Sequence, residues 1–159
     1  MTSSVLGRLA ELGLELPEVA APVATYVPAV RTGRYVYTSG QLPFVDGTLA
    51  ATGKVGDGEG LVGPLVAASL ARTAVLNALA AVASQIGSLD QVSRIVKVVG
   101  FVASDPSFTG QPAVVNGASV LLGEIFGEAG VHARSAVGVA VLPLDSPVEI
   151  ELVVELAER

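Results

Sequence analysis

Hydrophobic positions along the chain change their spacing several times, and each change marks an element. Between Leu61 and Ile86, the residues Leu61, Leu65, Ala68, Val75, Leu79, Val82 and Ile86 recur at helical spacing. That spacing lines one side of a long helix, and Gly87 supplies its stop. Val92 to Ala103 is rich in Val and Ile, which predicts a strand broken by Asp105-Pro106. A second helix is predicted over Ala113 to Phe126. Two more strands follow over Ser135 to Leu142 and Val148 to Leu156, joined by Pro143 to Pro147. Near the start, Thr2, Ser3 and Ser4 can cap a short helix over about residues 2–14, with Val5, Leu9 and Leu12 on its apolar side. Leu16 to Val23 holds two prolines and should cross the surface. Tyr26 to Val30 and Arg34 to Ser39 read as strands joined by Arg31-Thr32-Gly33, and Asp46-Gly47 marks a tight turn before a third short strand. The order β-β-β-α-β-α-β-β places two helices on one face of a mixed sheet, an α+β sandwich. With 159 residues it fits one domain, 1–159.

Composition narrows the chemistry. Charged residues make up 15% and hydrophobic residues 51%, the reverse of a disordered chain. A net charge of -6 without clustered Lys and Arg argues against nucleic acid as a main partner. There is no Cys and a single His, His132, which excludes thiolate nucleophiles, Cys-ligated clusters and His-pair metal sites. So few charges on a chain this small suggest that another subunit covers an apolar face. No stretch reads as a membrane span or targeting signal; Leu61 to Ala83 is broken by Pro64, Arg72 and Asn77. A soluble, cytoplasmic protein is expected. The run Gly53 to Gly63 precedes a helix and could be considered a phosphate cradle. It lacks a Gly-Lys-Ser/Thr ending and carries Asp57 and Glu59, so a flexible loop is expected instead.

Alternation along the last two strands separates their faces. Arg134, Ala136, Gly138 and Ala140 form an unusually small face, on which a ligand or another backbone could approach closely. Arg134 heads that face, and its planar fork suits bidentate carboxylate binding; on pattern alone it could equally be a surface residue. Val148, Ile150, Leu152 and Val154 form a core face, opposite Glu149, Glu151 and Glu155. Those acids are expected to face solvent.

Four segments together carry a resemblance. Thr38-Ser39-Gly40-Gln41-Leu42-Pro43, Ala133-Arg134-Ser135-Ala136-Val137, Leu142-Pro143 and Val148-Glu149-Ile150-Glu151 resemble the reactive intermediate deaminase family, also called Rid, YjgF or liver perchloric-acid-soluble protein. The resemblance spans roughly Ala24 to Glu158 and is to a longer subgroup. It implies a chorismate-mutase-like (bacillus type) α+β fold and a homotrimer with ligand sites between subunits. It also implies hydrolysis of enamines and imines such as 2-aminoacrylate or 2-imino acids to 2-keto acids and ammonia. That would be a 2-iminobutanoate/2-iminopropanoate deaminase needing no cofactor and no metal. By motif, Arg134 is similar to the family's carboxylate-binding arginine and Glu149 to its water-positioning acid. Tyr26, Ser39, Gly40, Asn116 and Ala136 correspond to pocket residues. Ala24-Thr25 stands where the family usually has Gly-Pro, and Ala136 where it often has Cys. The N-terminal helix and the longer stretch between Phe101 and Asn116 are extra. Two rival functions are a non-catalytic trimer binding a small carboxylate through Arg134, and an endoribonuclease, a label often attached to this family.

Strand geometry adds a constraint. If the last two strands form a hairpin centred near Asp145, Val141 pairs with Glu149, and Arg134 lies about 23 Å further along at ~3.3 Å per residue. Arg134 and Glu149 of one chain then cannot meet on one small molecule, which favours a site shared between subunits.

Overall fold

The alternation of Val148, Ile150, Leu152 and Val154 with Glu149, Glu151 and Glu155 builds the strand that organises the sheet, β7 (Val148–Leu156). In the computed structural model, which describes residues 4–21 and 24–158, its four apolar residues are fully or almost fully buried. The sheet order is β1-β2-β7-β5-β6, with β1 (Ala29–Thr32), β2 (Tyr35–Thr38), β5 (Val92–Ala103) and β6 (Ala133–Val139). β5 and β6 run parallel; every other pair in this sheet is antiparallel. Parallel neighbours need a crossover, which here is helix α3 (Gln111–Phe126). A separate hairpin, β3 (Phe44–Val45) and β4 (Thr48–Leu49), closes around Asp46 and Gly47, both at positive φ. The two turn residues therefore adopt the backbone that a tight hairpin demands.

Helices α2 (Pro64–Ile86) and α3 lie against one face of the sheet. α2 is long and apolar enough to cross a membrane by length and composition. Most of it is nevertheless enclosed by sheet and α3, with Ala67, Leu70, Ala71, Ala74, Val75, Ala78, Leu79 and Val82 buried. The two helices touch through small residues. A Cβ on Gly117 of α3 would overlap the Ala68 carbonyl of α2, 2.7 Å from its carbon.

Several boundaries differ from the sequence reading. The N-terminal helix α1 covers Val5–Glu11, capped by Ser4, whose hydroxyl accepts the Gly7 amide; Thr2 and Ser3 lie outside the described residues. Tyr26 precedes β1, because Pro28 delays entry into the ladder until Ala29. The Asp46-Gly47 turn closes two two-residue strands instead of leading into one. Leu65, placed on the apolar side of α2, is 88% exposed, and Leu61 precedes the helix. A helix rich in Ala and Leu all round has no single apolar stripe, so its phase is set by the neighbours. α3 begins at Gln111, with Pro112 in its first turn, where a missing amide hydrogen costs nothing.

Three findings bear on the site. β6 and β7 form no hairpin: β5 lies between them, so Val141 does not pair with Glu149. The Gly53 to Gly63 segment is a loop, as expected, and is anchored at its ends. Val55 is fully buried, bridges to Val62 and Ser104, and donates its amide to Ala103 O at 2.7 Å. The small face of β6 is turned to α3 of the same chain. A Cβ on Gly138 would stand 2.8 Å from Gln111 Nε2, and one on neighbouring Gly100 would overlap Val115. The glycines admit helix side chains.

Candidate functional site

The motif Thr38-Ser39-Gly40-Gln41 is a bulge in the ladder between β2 and β7. Tyr37 pairs with Val153, but Gln41 bridges to Ile150, so four steps on one strand match three on the other. A bulge leaves ladder groups without backbone partners, and side chains take their place. Thr38 Oγ1 accepts the buried Leu152 amide at 3.0 Å. The Ser39 hydroxyl donates to Val27 O at 2.6 Å, while its amide donates to Pro28 O, tying the approach to β1 against the bulge. Gln41 then resumes pairing with Ile150 in both directions, at 2.8 and 3.0 Å. Glu149 projects beside this bulge. A Cβ on Gly40 would overlap its carboxylate, so Gly40 is small because Glu149 fills the space. Tyr26, Gly40, Gln41, Phe44, Pro143 and Glu149 line a small recess here.

Glu149 is half-buried, where solvent was expected. Burial first, and the Glu151 carboxylate two residues on second, raise its pKa above the ordinary carboxylate value. Glu151 is raised too, by burial. No described residue donates a hydrogen bond to the Glu149 carboxylate. A desolvated, unpaired carboxyl with a raised pKa is suited to taking and returning protons.

Arg134 belongs to a second cluster. Its Nη1 donates to Asn116 Oδ1 at 2.7 Å and to Ser119 Oγ at 3.2 Å, and Nη2 donates to Pro112 O at 3.4 Å. Ser119 and His132, neither chosen from sequence, complete the chain. Gly130 O can only accept, so His132 Nδ1 donates to it at 2.6 Å, while His132 Nε2 and the Ser119 hydroxyl share a hydrogen bond at 2.9 Å. Ser119 accepts from Arg134 and bonds His132, a chain that positions the guanidinium. All of Arg134's partners are neutral. Its spacing to Ser119 is fifteen residues, so no local pattern announced the contact. Ala136 lies two residues along the same strand face, partly buried against the core.

The predicted residues thus fall into two groups: Tyr26, Ser39, Gly40 and Glu149 around the bulge, and Arg134, Asn116 and Ala136 against α3. The groups are on opposite faces of the sheet. Arg134 pairs across β5 with Val98 and Leu152, whose side chains point to the helices; Glu149 pairs with Phe101, on the other face. Two strand spacings and three residues of offset put their Cα atoms about 14 Å apart. The sequence estimate of 23 Å was too long, because the hairpin it assumed does not exist. Separation by the sheet itself is the stronger barrier. The face bearing Glu149 carries exposed Val30, Tyr35, Tyr37 and Val137, and no described segment packs over them.

A mixed sheet with two helices on one face and the other face open is an α+β fold shared with YjgF-like, chorismate-mutase-like structures. The family described as "YjgF/chorismate_mutase-like, putative endoribonuclease" matches residues 6–156, and the chain belongs to it. Protein TCP17 of Trypanosoma cruzi is 43% identical over 96% of this chain and 94% of its own length. The crystal structure of Atu1372 from Agrobacterium tumefaciens, of unknown function, is 42% identical. It covers 96% of this chain and 92% of that one with a TM-score of 0.87. Escherichia coli TdcF with bound serine is 26% identical, covers 88% of this chain and 94% of that one, and has a TM-score of 0.64.

Proposed function

We propose that this protein hydrolyses enamines and imines of 2-amino acids, such as 2-aminoacrylate or 2-iminopropionate, to 2-keto acids and ammonia. It does so in the cytoplasm, as a homotrimer, in clefts where the Arg134 cluster of one subunit faces the Glu149 recess of the next. The observation that carries this reading is the split itself. A pre-oriented, uncompensated guanidinium and a raised, unpaired carboxyl are complementary, yet the sheet of one chain stands between them. Serine bound to TdcF supports a small amino-acid-like ligand.

The chemistry asks little of the protein. Arg134 holds the substrate carboxylate through its fork. Glu149 in its ionised form takes a proton from water as the water oxygen adds to the carbon of the protonated imine, forming a neutral carbinolamine. It then gives that proton to nitrogen and takes the hydroxyl proton as the carbon–nitrogen bond breaks, so that the keto acid and ammonia are released and the last proton leaves with ammonia as ammonium. An enamine first tautomerises to the imine, with a proton delivered to its terminal carbon. A placed acid–base group contributes about 10²–10⁴-fold, enough for a substrate that already hydrolyses in water.

The test is a coupled assay in which an amino-acid oxidase generates 2-iminopropionate and its loss is followed with and without the protein. Acceleration by wild type, lost in Arg134→Ala and only partly restored in Arg134→Lys, is expected, since a point charge cannot replace the fork. Ligand binding without acceleration would instead identify a carboxylate-binding trimer. Salt-sensitive RNA cleavage would identify an endoribonuclease.

A further inference from the structure

A second, larger cavity lies beyond the recess, with neither Arg134 nor Glu149 in its wall. It measures about 670 Å³, within the ordinary range for small-molecule sites. Three pieces of chain enclose it: residues 15–21, which run from α1 toward β1; the tip of the β3–β4 hairpin; and the middle of α2. Residues Thr73, Leu76 and Asn77 sit three and four apart, so all three reach the cavity from one side of α2. Pro17, Val19, Phe44 and Leu76 give it an apolar body.

Its polar side chains share one property. Asn77 is 3% exposed, and its Nδ2 donates to two carbonyls, Leu42 O and Phe44 O, each at 3.0 Å. Two acceptors on the amide nitrogen settle which way the side chain points. Oδ1 faces away from them and accepts from no described residue. It is not sealed in protein, since no buried side-chain nitrogen or oxygen among the described residues is left without a partner. Asn77 is one of the residues that line the cavity. Thr73 donates its hydroxyl to Ser69 O, leaving oxygen lone pairs. The other three polar lining side chains are Glu15, Glu18 and Asp46, all exposed and none in an ion pair among the described residues. The wall offers hydrogen-bond acceptors and negative charge, and no Lys or Arg.

We propose that this cavity binds an organic ammonium ion: a primary amine on an aliphatic body, with the body against Val19, Phe44 and Leu76. The ammonium donates to Asn77 Oδ1 and is held in the field of Glu15, Glu18 and Asp46. A carboxylate would meet three like charges and no Lys or Arg. An alcohol could bond Asn77 but would gain nothing from the rim. The proposal is independent of imine hydrolysis, which requires a carboxylate-bearing ligand elsewhere.

Three probes of equal chain length separate the possibilities: hexylamine, hexanol and hexanoate, titrated into the full-length protein and followed by heteronuclear NMR. Hexylamine should give saturable shifts at residues 15–21, 44–47 and 73–77, with hexanoate at least tenfold weaker. In the variant Glu18→Gln with Asp46→Asn, hexylamine affinity should fall about fivefold and hexanol affinity should not change. Asn accepts the left-handed backbone of position 46, where φ is 50°, so the hairpin should persist. Leu76→Trp, which fills the space, should abolish the shifts. Equal binding of hexanoate, shifts confined to the surroundings of Arg134 and Glu149, no saturable shift at millimolar hexylamine, or an unchanged double variant would each overturn the proposal.

Discussion

Mixing two inactive variants tests the shared cleft directly. On the proposed mechanism Arg134→Ala removes the carboxylate anchor and Glu149→Ala the acid–base group, so each variant alone should be inactive. The two side chains leave opposite faces of one sheet, at Cα positions about 14 Å apart by strand geometry. Neither can reach the other's partner within its own chain. If each cleft takes Arg134 from one subunit and Glu149 from its neighbour, co-refolding equal amounts creates mixed trimers. An interface has about one chance in two of an intact arginine and, independently, one in two of an intact glutamate. About one interface in four is then whole, and about a quarter of wild-type activity should return. The assay is 2-iminopropionate loss after co-refolding, with subunit exchange checked by native mass spectrometry. Zero recovery from confirmed mixed trimers would refute the shared cleft. So would full activity in either variant alone.

Four further outcomes follow from specific residues. Because Glu151 contributes to the raised pKa of Glu149, Glu151→Gln should move the acid limb of the kcat/KM profile to lower pH; an unmoved limb would remove Glu149 as the titrating base. The same shift has a stability sign: a carboxyl raised in the folded state binds more protons folded than unfolded. Stability therefore falls as pH rises from its unfolded to its folded pKa, and Glu149→Gln should raise Tm at pH 7 by about 2 °C in a thermal melt. Gly117→Ala forces a methyl into the Ala68 carbonyl and should cost about 3 kcal/mol in denaturant unfolding. His132→Ala should raise KM about tenfold with little change in kcat, because it frees Ser119 from holding Arg134, and His132→Gln, which can still bond Ser119, should recover part of the loss.

Much of the fold was legible because burial and alternation coincide. β5 and β7 begin and end where the Val and Ile runs do, at Val92–Ala103 and Val148–Leu156. Where composition is uniform the signal fails: in α2, Ala and Leu surround the helix, and Leu65 is exposed although its spacing suggested otherwise. Short elements were lost for a different reason. β3 and β4 have two residues each, too few to display a period of two, and only the Asp46-Gly47 turn betrays them.

Strand order explains the fate of the site. Alternation assigns each residue to a face of its own strand, but it does not say which face of the sheet that is, nor which strand lies next door. Proximity of β6 and β7 in sequence suggested a hairpin; a parallel β5–β6 pair reached through α3 put β5 between them instead. That insertion shortens the path from Arg134 to Glu149 but leaves the two residues on opposite faces, as the assumed hairpin would also have done. The same insertion gives the small residues of β6 a purpose within the chain, since Gly138 and Gly100 let Gln111 and Val115 of α3 settle onto the sheet. α3 in turn brings Asn116 and Ser119 onto Arg134. Close helix packing and the orientation of the arginine are thus one structural event, and a larger residue at Gly138 should disturb Arg134 through α3 before it disturbs any contact with another subunit.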